Sequence, residues 1–130
     1  MTKILLGVLV LQLIGEILGS ITAIFTPVWG LETFHVSVSA DTCFLAFVLG
    51  LAFAFVSVII LLAIYGIYKK IKFGWYISYS LGFFWIVFGG SLFLMYGRTE
   101  NFYMDFCPGL LVGVLTYLSY QNDIAKLPGK

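Results

Sequence analysis

Four long apolar runs constrain the fold of this chain more than any other feature of its sequence. Two of them, Thr42 to Tyr68 and Phe73 to Gly97, contain no charged residue. Each exceeds the roughly 20 residues that a helix needs to cross the hydrocarbon core of a bilayer. The first run, Ile4 to Thr26, is also long enough, and the fourth, Phe106 to Asn122, is slightly shorter but uncharged. The sequence therefore predicts four membrane-spanning helices, near residues 4–26, 43–68, 73–97 and 103–121.

Composition gives the same class of protein. Apolar residues make up 62% of the chain and charged residues 10%, whereas a soluble domain has about 45–50% apolar and about 25% charged residues. The 130 residues leave room for four spans and short connectors. We therefore expect an all-α integral membrane protein that forms a single four-helix transmembrane domain over residues 1–130.

The connectors carry most of the remaining local signals. Pro27 is expected to end the first helix, and Asp41 and Asp105 are expected to cap the second and fourth helices. The segment 69–72 is short enough for a tight hairpin. The longest connector, residues 27–41, ends in an alternation of apolar and polar residues, which predicts either an extended stretch or an irregular loop.

The distribution of basic residues predicts the orientation. Six of the seven Lys and Arg residues fall on one side of the predicted spans, and only Arg98 falls on the other. Because cytoplasmic loops are enriched in Lys and Arg, we expect both termini in the cytoplasm and the protein in the cell membrane, plasma or inner. Three of the basic residues could contact anionic lipid, although lipid-binding clusters usually contain about 4–8; they are Lys69, Lys70 and Lys72.

Glu16 lies at the centre of the first run, where a charged carboxylate costs roughly 2.5–3.5 kcal/mol on insertion scales. Gln12 and Ser20 lie one turn to either side, so the three residues form a polar stripe on one helical face. By depth, the groups expected to reach the carboxyl are Ser57, Trp85 and Thr116. The stripe fits three roles: a structural brace, a contact with a partner subunit, or a path for a proton or substrate.

The stretch from Gly15 to Ser20 resembles locally the first helix of small multidrug resistance transporters. Those proteins also have four helices and a similar length, with a membrane-embedded glutamate in the first helix. The resemblance implies a coupling role for Glu16, and it covers only this short part of the chain. The third predicted helix departs from the glycine-rich pattern of that family, and the strong charge bias departs from the dual or antiparallel topology of its members.

Small residues recur at the four-residue spacing that lets membrane helices approach closely. Candidate helix-packing positions are Gly15, Gly19, Gly50, Gly82, Gly109 and Gly113. They fit packing within the chain, a homodimer, or a contact with another subunit. The two cysteines, Cys43 and Cys107, each follow an Asp by two residues at the start of a predicted helix. They are expected near the outer surface, either as a disulfide or as two unpaired thiols.

Motifs for catalysis, metal binding or phosphate binding are not apparent, so we expect no enzyme activity, cofactor or metal site, and no binding to nucleic acid. Membrane lipids and other membrane subunits, or further copies of the chain, are the expected partners. The short loops and the aromatic content of 18% favour a non-catalytic accessory or assembly subunit of a larger membrane complex. The alternative is a small oligomeric transporter or channel in which Glu16 is the coupling residue.

Overall fold

The structure, a computed structural model, describes residues 1–126. Its elements are α1 (Thr2–Phe25), α2 (Pro27–Thr33), α3 (Ala40–Tyr68), α4 (Lys72–Tyr96), α5 (Thr99–Asn101), a π-helical turn (Phe102–Phe106) and α6 (Cys107–Asp123). Helices α1, α3 and α4 and the continuous segment Thr99–Asp123 are long and apolar enough to cross a membrane. The predicted all-helical architecture with four apolar spans is therefore confirmed, and the chain has the build of an integral membrane protein.

The chain divides into two compact units. Unit 1 combines Met1–Val10 with the chain from Ile60 onward, and unit 2 is Leu11–Ile59. The buried apolar side chains of the described residues belong to unit 1; they are Leu5, Leu9, Ile60, Ala63, Ile67, Trp75, Leu81, Trp85, Val112, Leu115 and Ile124. The buried side chains of unit 2 are polar, Ser20 and Ser57.

The hairpin between α3 and α4 is as short as predicted. The Ile71 amide donates to the Gly66 carbonyl at 2.8 Å, and Lys70 has a φ of 55° in the left-handed region. The two helices then cross at glycines, because a Cβ atom on Gly74 would lie 2.4 Å from the Gly66 carbonyl carbon. Backbone-to-backbone contact of this kind leaves no room for any side chain at either position.

The α3 cap differs from the prediction. Helix α3 begins at Ala40, so Asp41 lies within the first turn, and the capping residue is Ser39. The Thr42 amide donates to the Ser39 hydroxyl at 3.1 Å, and the Ser39 amide donates to the Thr42 hydroxyl at 2.8 Å. This reciprocal pair satisfies two backbone donors at once, as in a capping box. Asp41 is left with the weaker role of a negative charge near the positive end of the helix dipole.

Asp105 also does not cap a helix. Helical structure begins at Thr99, and Asp105 lies inside the π-helical turn, where its carboxylate accepts a hydrogen bond of 2.9 Å from the Asn101 amide. The wider π turn packs on Gly89, at which a Cβ atom would lie 2.6 Å from the Phe106 nitrogen. The fourth span therefore starts earlier than predicted.

The connector after α1 contains a helix where the sequence predicted an extended or irregular segment. α1 ends at Phe25, and Pro27 occupies the first turn of α2, where its missing amide proton costs no hydrogen bond. Residues 34–35 form a turn after α2, and residues 36–39 have no regular structure before α3. The alternating pattern therefore coincides with non-helical structure only near the end of the connector, whereas Pro27–Thr33 is helical.

Candidate functional site

The polar stripe of α1 lies on the less exposed side of that helix. Gln12 and Glu16 are half-buried, and Ser20 is buried. The Ser20 hydroxyl donates to the Gly50 carbonyl of α3 at 2.8 Å. Gly50 permits this approach because a Cβ atom there would lie 2.7 Å from Ile24 Cγ1. One end of the predicted stripe therefore joins α1 to α3 within unit 2.

Two of the three groups expected to reach Glu16, Ser57 and Thr116, make hydrogen bonds within their own units. Ser57 donates to the Phe53 carbonyl of its own helix at 2.9 Å. The Thr116 hydroxyl lies 2.7 Å from that of Ser78, and both are buried. A hydroxyl that already donates a hydrogen bond can still accept a second one.

A small cavity of about 210 Å³ lies in unit 2 close to the stripe. Its lining combines two hydroxyl-bearing residues with three apolar ones, namely Ile17, Ser20, Ile21, Ala54 and Ser57. Since both hydroxyls donate to backbone carbonyls, the cavity presents mostly apolar surface.

The side of α1 opposite the stripe is exposed and apolar. Its residues in unit 2 follow alternating steps of three and four, and they are Leu11, Ile14, Leu18, Ile21 and Phe25. Gly15 lies beside them, and a Cβ atom there would meet nothing within 4 Å. We call this the α1 face.

A chain of hydrogen bonds joins three elements of unit 1. The Trp75 indole donates to the Ser119 hydroxyl at 3.1 Å, and the Thr2 hydroxyl donates to the Asp123 carboxylate. The Ser119 and Thr2 oxygens are 2.7 Å apart, and because the single Thr2 proton goes to Asp123, Ser119 must donate to Thr2. All donors point the same way, from the indole to the carboxylate, which is the arrangement in which such bonds reinforce each other.

An open groove of about 460 Å³ lies between α4 and α6, next to this hydrogen-bond chain. We call it the tyrosine groove, and it is lined by Trp75, Tyr76, Tyr79, Ser80, Thr116, Tyr117, Tyr120 and Gln121. The Tyr76 and Tyr120 rings contact each other in a tilted arrangement in its wall, with centroids 6.2 Å apart. No periodicity in the sequence indicates that two helices bring these tyrosines together.

Lysines surround the same end of unit 1. The hydrogen bond between Thr2 and Asp123 brings the start of α1, which carries Lys3, to the end of α6, which Lys126 follows. The hydrogen bond between Trp75 and Ser119 joins α6 to the first turn of α4, next to the hairpin lysines. The resulting lysine cluster contains Lys3, Lys69, Lys70, Lys72 and Lys126. All are exposed except Lys72, which is half-buried, and Lys69 Nζ lies 5.9 Å from the centre of the Tyr68 ring. Lys130 lies outside the described residues.

The predicted packing glycines have different environments. A Cβ atom on Gly109 would lie 2.8 Å from the Gly82 carbonyl oxygen, so α4 and α6 touch through their backbones. Gly50 is equally tight, and Gly19 makes an ordinary contact with Phe53 at 3.4 Å. Added Cβ atoms on Gly15 and Gly113 would meet nothing within 4 Å. The tightest approach, at Gly66 and Gly74, was not predicted, because Gly66 has no small residue four positions away on either side.

The cysteines are separate thiols in the structure. Cys43, in the first turns of α3, is half-buried, and Cys107, at the start of α6, is exposed. The two cysteines lie in different units, and the predicted disulfide stays a prediction.

No protein-family model, curated protein or solved structure matches this chain.

Proposed function

We propose that this protein is a non-catalytic accessory or assembly subunit of a larger membrane protein complex. The observation that supports the proposal is the α1 face. Leu11 is 69% exposed, Leu18 59% and Phe25 76%. Lipid can cover such residues, but the regular steps of three and four also match the seam by which one helix packs its side chains between those of another.

Gly15 strengthens the case for a helix as the partner. In a bilayer no hydrophobic force joins helices, and small residues promote association because they allow backbones to approach. The open space in front of Gly15 is available to a helix of another subunit. The polar stripe lies on the other side of α1, so this contact would leave Glu16 and Ser20 in place.

The proposed orientation places the lysine cluster in the cytoplasm. This end holds five of the seven basic residues, and Thr2 and Asp123 show that α1 begins where α6 ends. Both termini would then be cytoplasmic, in the plasma or inner membrane.

The test is co-purification from native membranes in mild detergent. Gly15→Leu places a large side chain in open space, so it should leave the isolated chain folded and remove the partner from the purified complex. The control is Val87→Leu, which adds bulk at an exposed position of α4. If the Gly15→Leu protein retains every partner at native stoichiometry, or if the unmodified protein has none, the proposal is wrong.

The alternative is a small oligomeric transporter or channel in which Glu16 couples a proton to a substrate. The half-buried carboxyl at mid-span and the cavity lined by Ser20 and Ser57 support it. Proton-driven uptake by the protein alone in liposomes would favour this function over an accessory role.

A further inference from the structure

We infer that the lysine-rich end of unit 1 is a binding site for an anionic phospholipid, with the headgroup at the lysine cluster and an acyl chain in the tyrosine groove. The inference does not depend on the proposed function, because it uses neither α1 face residues nor Glu16. It concerns a ligand of the membrane itself and not a protein partner.

The lysine cluster carries the positive charge that an anionic headgroup requires. Clusters of about 4–8 Lys or Arg residues next to membrane spans are typical of binding to anionic lipids. The sequence alone indicated three such residues, and the folded chain adds Lys3 and Lys126 from its two ends. The acidic group among them, Asp123, accepts the Thr2 hydrogen bond and offsets only one of five positive charges.

The tyrosine groove lies at the depth where the acyl chains of such a lipid begin. Groove residues on α4 run from Trp75 to Ser80 and so begin three residues after Lys72. At 1.5 Å per residue they lie roughly 5–12 Å further into the membrane than Lys72. A lipid whose phosphate meets the lysines would place its glycerol and the first part of an acyl chain at that depth.

The lining of the tyrosine groove combines apolar rings with hydroxyl groups. Lys72, Tyr76 and Ser80 follow each other at four-residue steps, which places them on one face of α4. Tyrosine combines an apolar ring with a hydroxyl, so an alkyl chain can lie along the ring surfaces that line the groove while hydroxyls at its edge donate to ester oxygens. The groove thus has apolar walls, polar groups for the ester region and positive charge at its headgroup end.

Native mass spectrometry of the delipidated protein in detergent tests the inference. The probes are phosphatidylglycerol and phosphatidylcholine with identical acyl chains, added at increasing concentration. We expect phosphatidylglycerol to be retained and phosphatidylcholine to be lost under the same conditions. Inorganic phosphate at millimolar concentration should not displace the lipid, because phosphate cannot use the groove. Equal retention of both lipids, or displacement by phosphate, would overturn the inference.

Two sets of variants test the two parts of the site. Replacing Lys69, Lys70 and Lys72 together by Gln should weaken phosphatidylglycerol binding on the order of 100-fold, since each surface lysine contributes about 1 kcal/mol. Replacing the same three by Arg preserves the charge and should restore binding. For the groove, Tyr76→Ala combined with Tyr117→Ala should weaken binding at least about tenfold. Tyr96→Ala, an exposed tyrosine at the other end of α4, is the matched control.

Circular dichroism of each variant checks that it is folded before binding is measured. If the Gln variant binds phosphatidylglycerol as well as the unmodified protein, the lysines are not part of a site. If the double variant Tyr76→Ala with Tyr117→Ala and the control Tyr96→Ala both bind phosphatidylglycerol as well as the unmodified protein, the groove holds no acyl chain. Either result contradicts the inferred site.

Discussion

Gly66 and Gly74 touch through their backbones where α3 and α4 leave their shared hairpin. A Cβ atom on Gly66 would lie 2.6 Å from Gly74 Cα, and the reverse substitution is tighter still. The turn between the helices is too short to let them move apart, since the Ile71 amide is bonded to the Gly66 carbonyl. The hairpin therefore depends on the absence of two side chains.

Gly74→Ala should destabilise the protein by about 1–3 kcal/mol or more, because the added methyl group meets backbone atoms that cannot rotate away. Thermal unfolding in detergent measures this loss. Gly7→Ala is the matched control, since a Cβ atom on Gly7 meets nothing within 4 Å. Alanine favours a helix over glycine by about 0.5–1 kcal/mol, so the control should be neutral or slightly stabilising. Equal unfolding temperatures for the two variants would contradict the observed crossing.

Ser39→Ala should cost about 0.5–2 kcal/mol, because it removes the side chain that caps α3. Asp41→Asn should cost less, about 0.3–1 kcal/mol, since Asp41 contributes charge near the helix dipole and does not cap the helix. Urea or thermal unfolding of the two variants side by side distinguishes them. A larger effect at Asp41 would support the cap that the sequence predicted.

The spans could be predicted from sequence because a single property, unbroken apolar length, determines them. The caps could not be predicted as well, because Ser39 and Asp41 are both good capping residues and lie two positions apart. Choosing between them requires knowing whether α3 begins at residue 40 or 42, and apolar length does not resolve one turn. The π-helical turn at Phe102–Phe106 was not predicted either, and it packs against Gly89 of another helix, a tertiary contact that no local pattern reveals.

The polar positions show the same limit. Ser20 was predicted from its spacing to Glu16, and it lies on the predicted face because α1 is regular there. Thr2, Trp75 and Ser119 were not considered together, since they are separated by more than 40 residues along the chain and only the packed helices join them. The tyrosine groove arises in the same way from α4 and α6.

Ser119→Ala should destabilise the protein by about 1–2 kcal/mol, because it leaves the buried Trp75 indole without its acceptor and removes the donor to Thr2. Ser80→Ala is a suitable control, since the exposed Ser80 hydroxyl donates only to the Tyr76 carbonyl of its own helix at 3.0 Å. The measurement is thermal unfolding, with tryptophan fluorescence as a local signal for Trp75. Equal stability of the two variants would show that the hydrogen-bond chain contributes nothing.

The proposed orientation predicts the labelling of two introduced cysteines. In a chain whose Cys43 and Cys107 have been replaced by Ser, Ile71→Cys should be protected from a membrane-impermeant thiol reagent in intact cells. It should react after permeabilisation, because Ile71 is exposed in the hairpin. Ser37→Cys, in the connector between α2 and α3, should react in intact cells. The opposite pattern would reverse the orientation.

Glu16 separates the proposed functions through two substitutions. In an accessory subunit that binds through the α1 face, Glu16→Gln preserves hydrogen bonding, so stability and partner co-purification should be unchanged. Glu16→Leu removes those bonds and should cost about 0.6–2 kcal/mol of stability in detergent. In a proton-coupled transporter, the carboxyl must gain and lose a proton in each cycle. Glu16→Gln would then abolish proton-driven uptake in liposomes while the protein stays folded. A loss of uptake in Glu16→Gln with unchanged stability would reject the accessory function, and a loss of partners in the same variant would show that the interface includes the polar stripe and not only the α1 face.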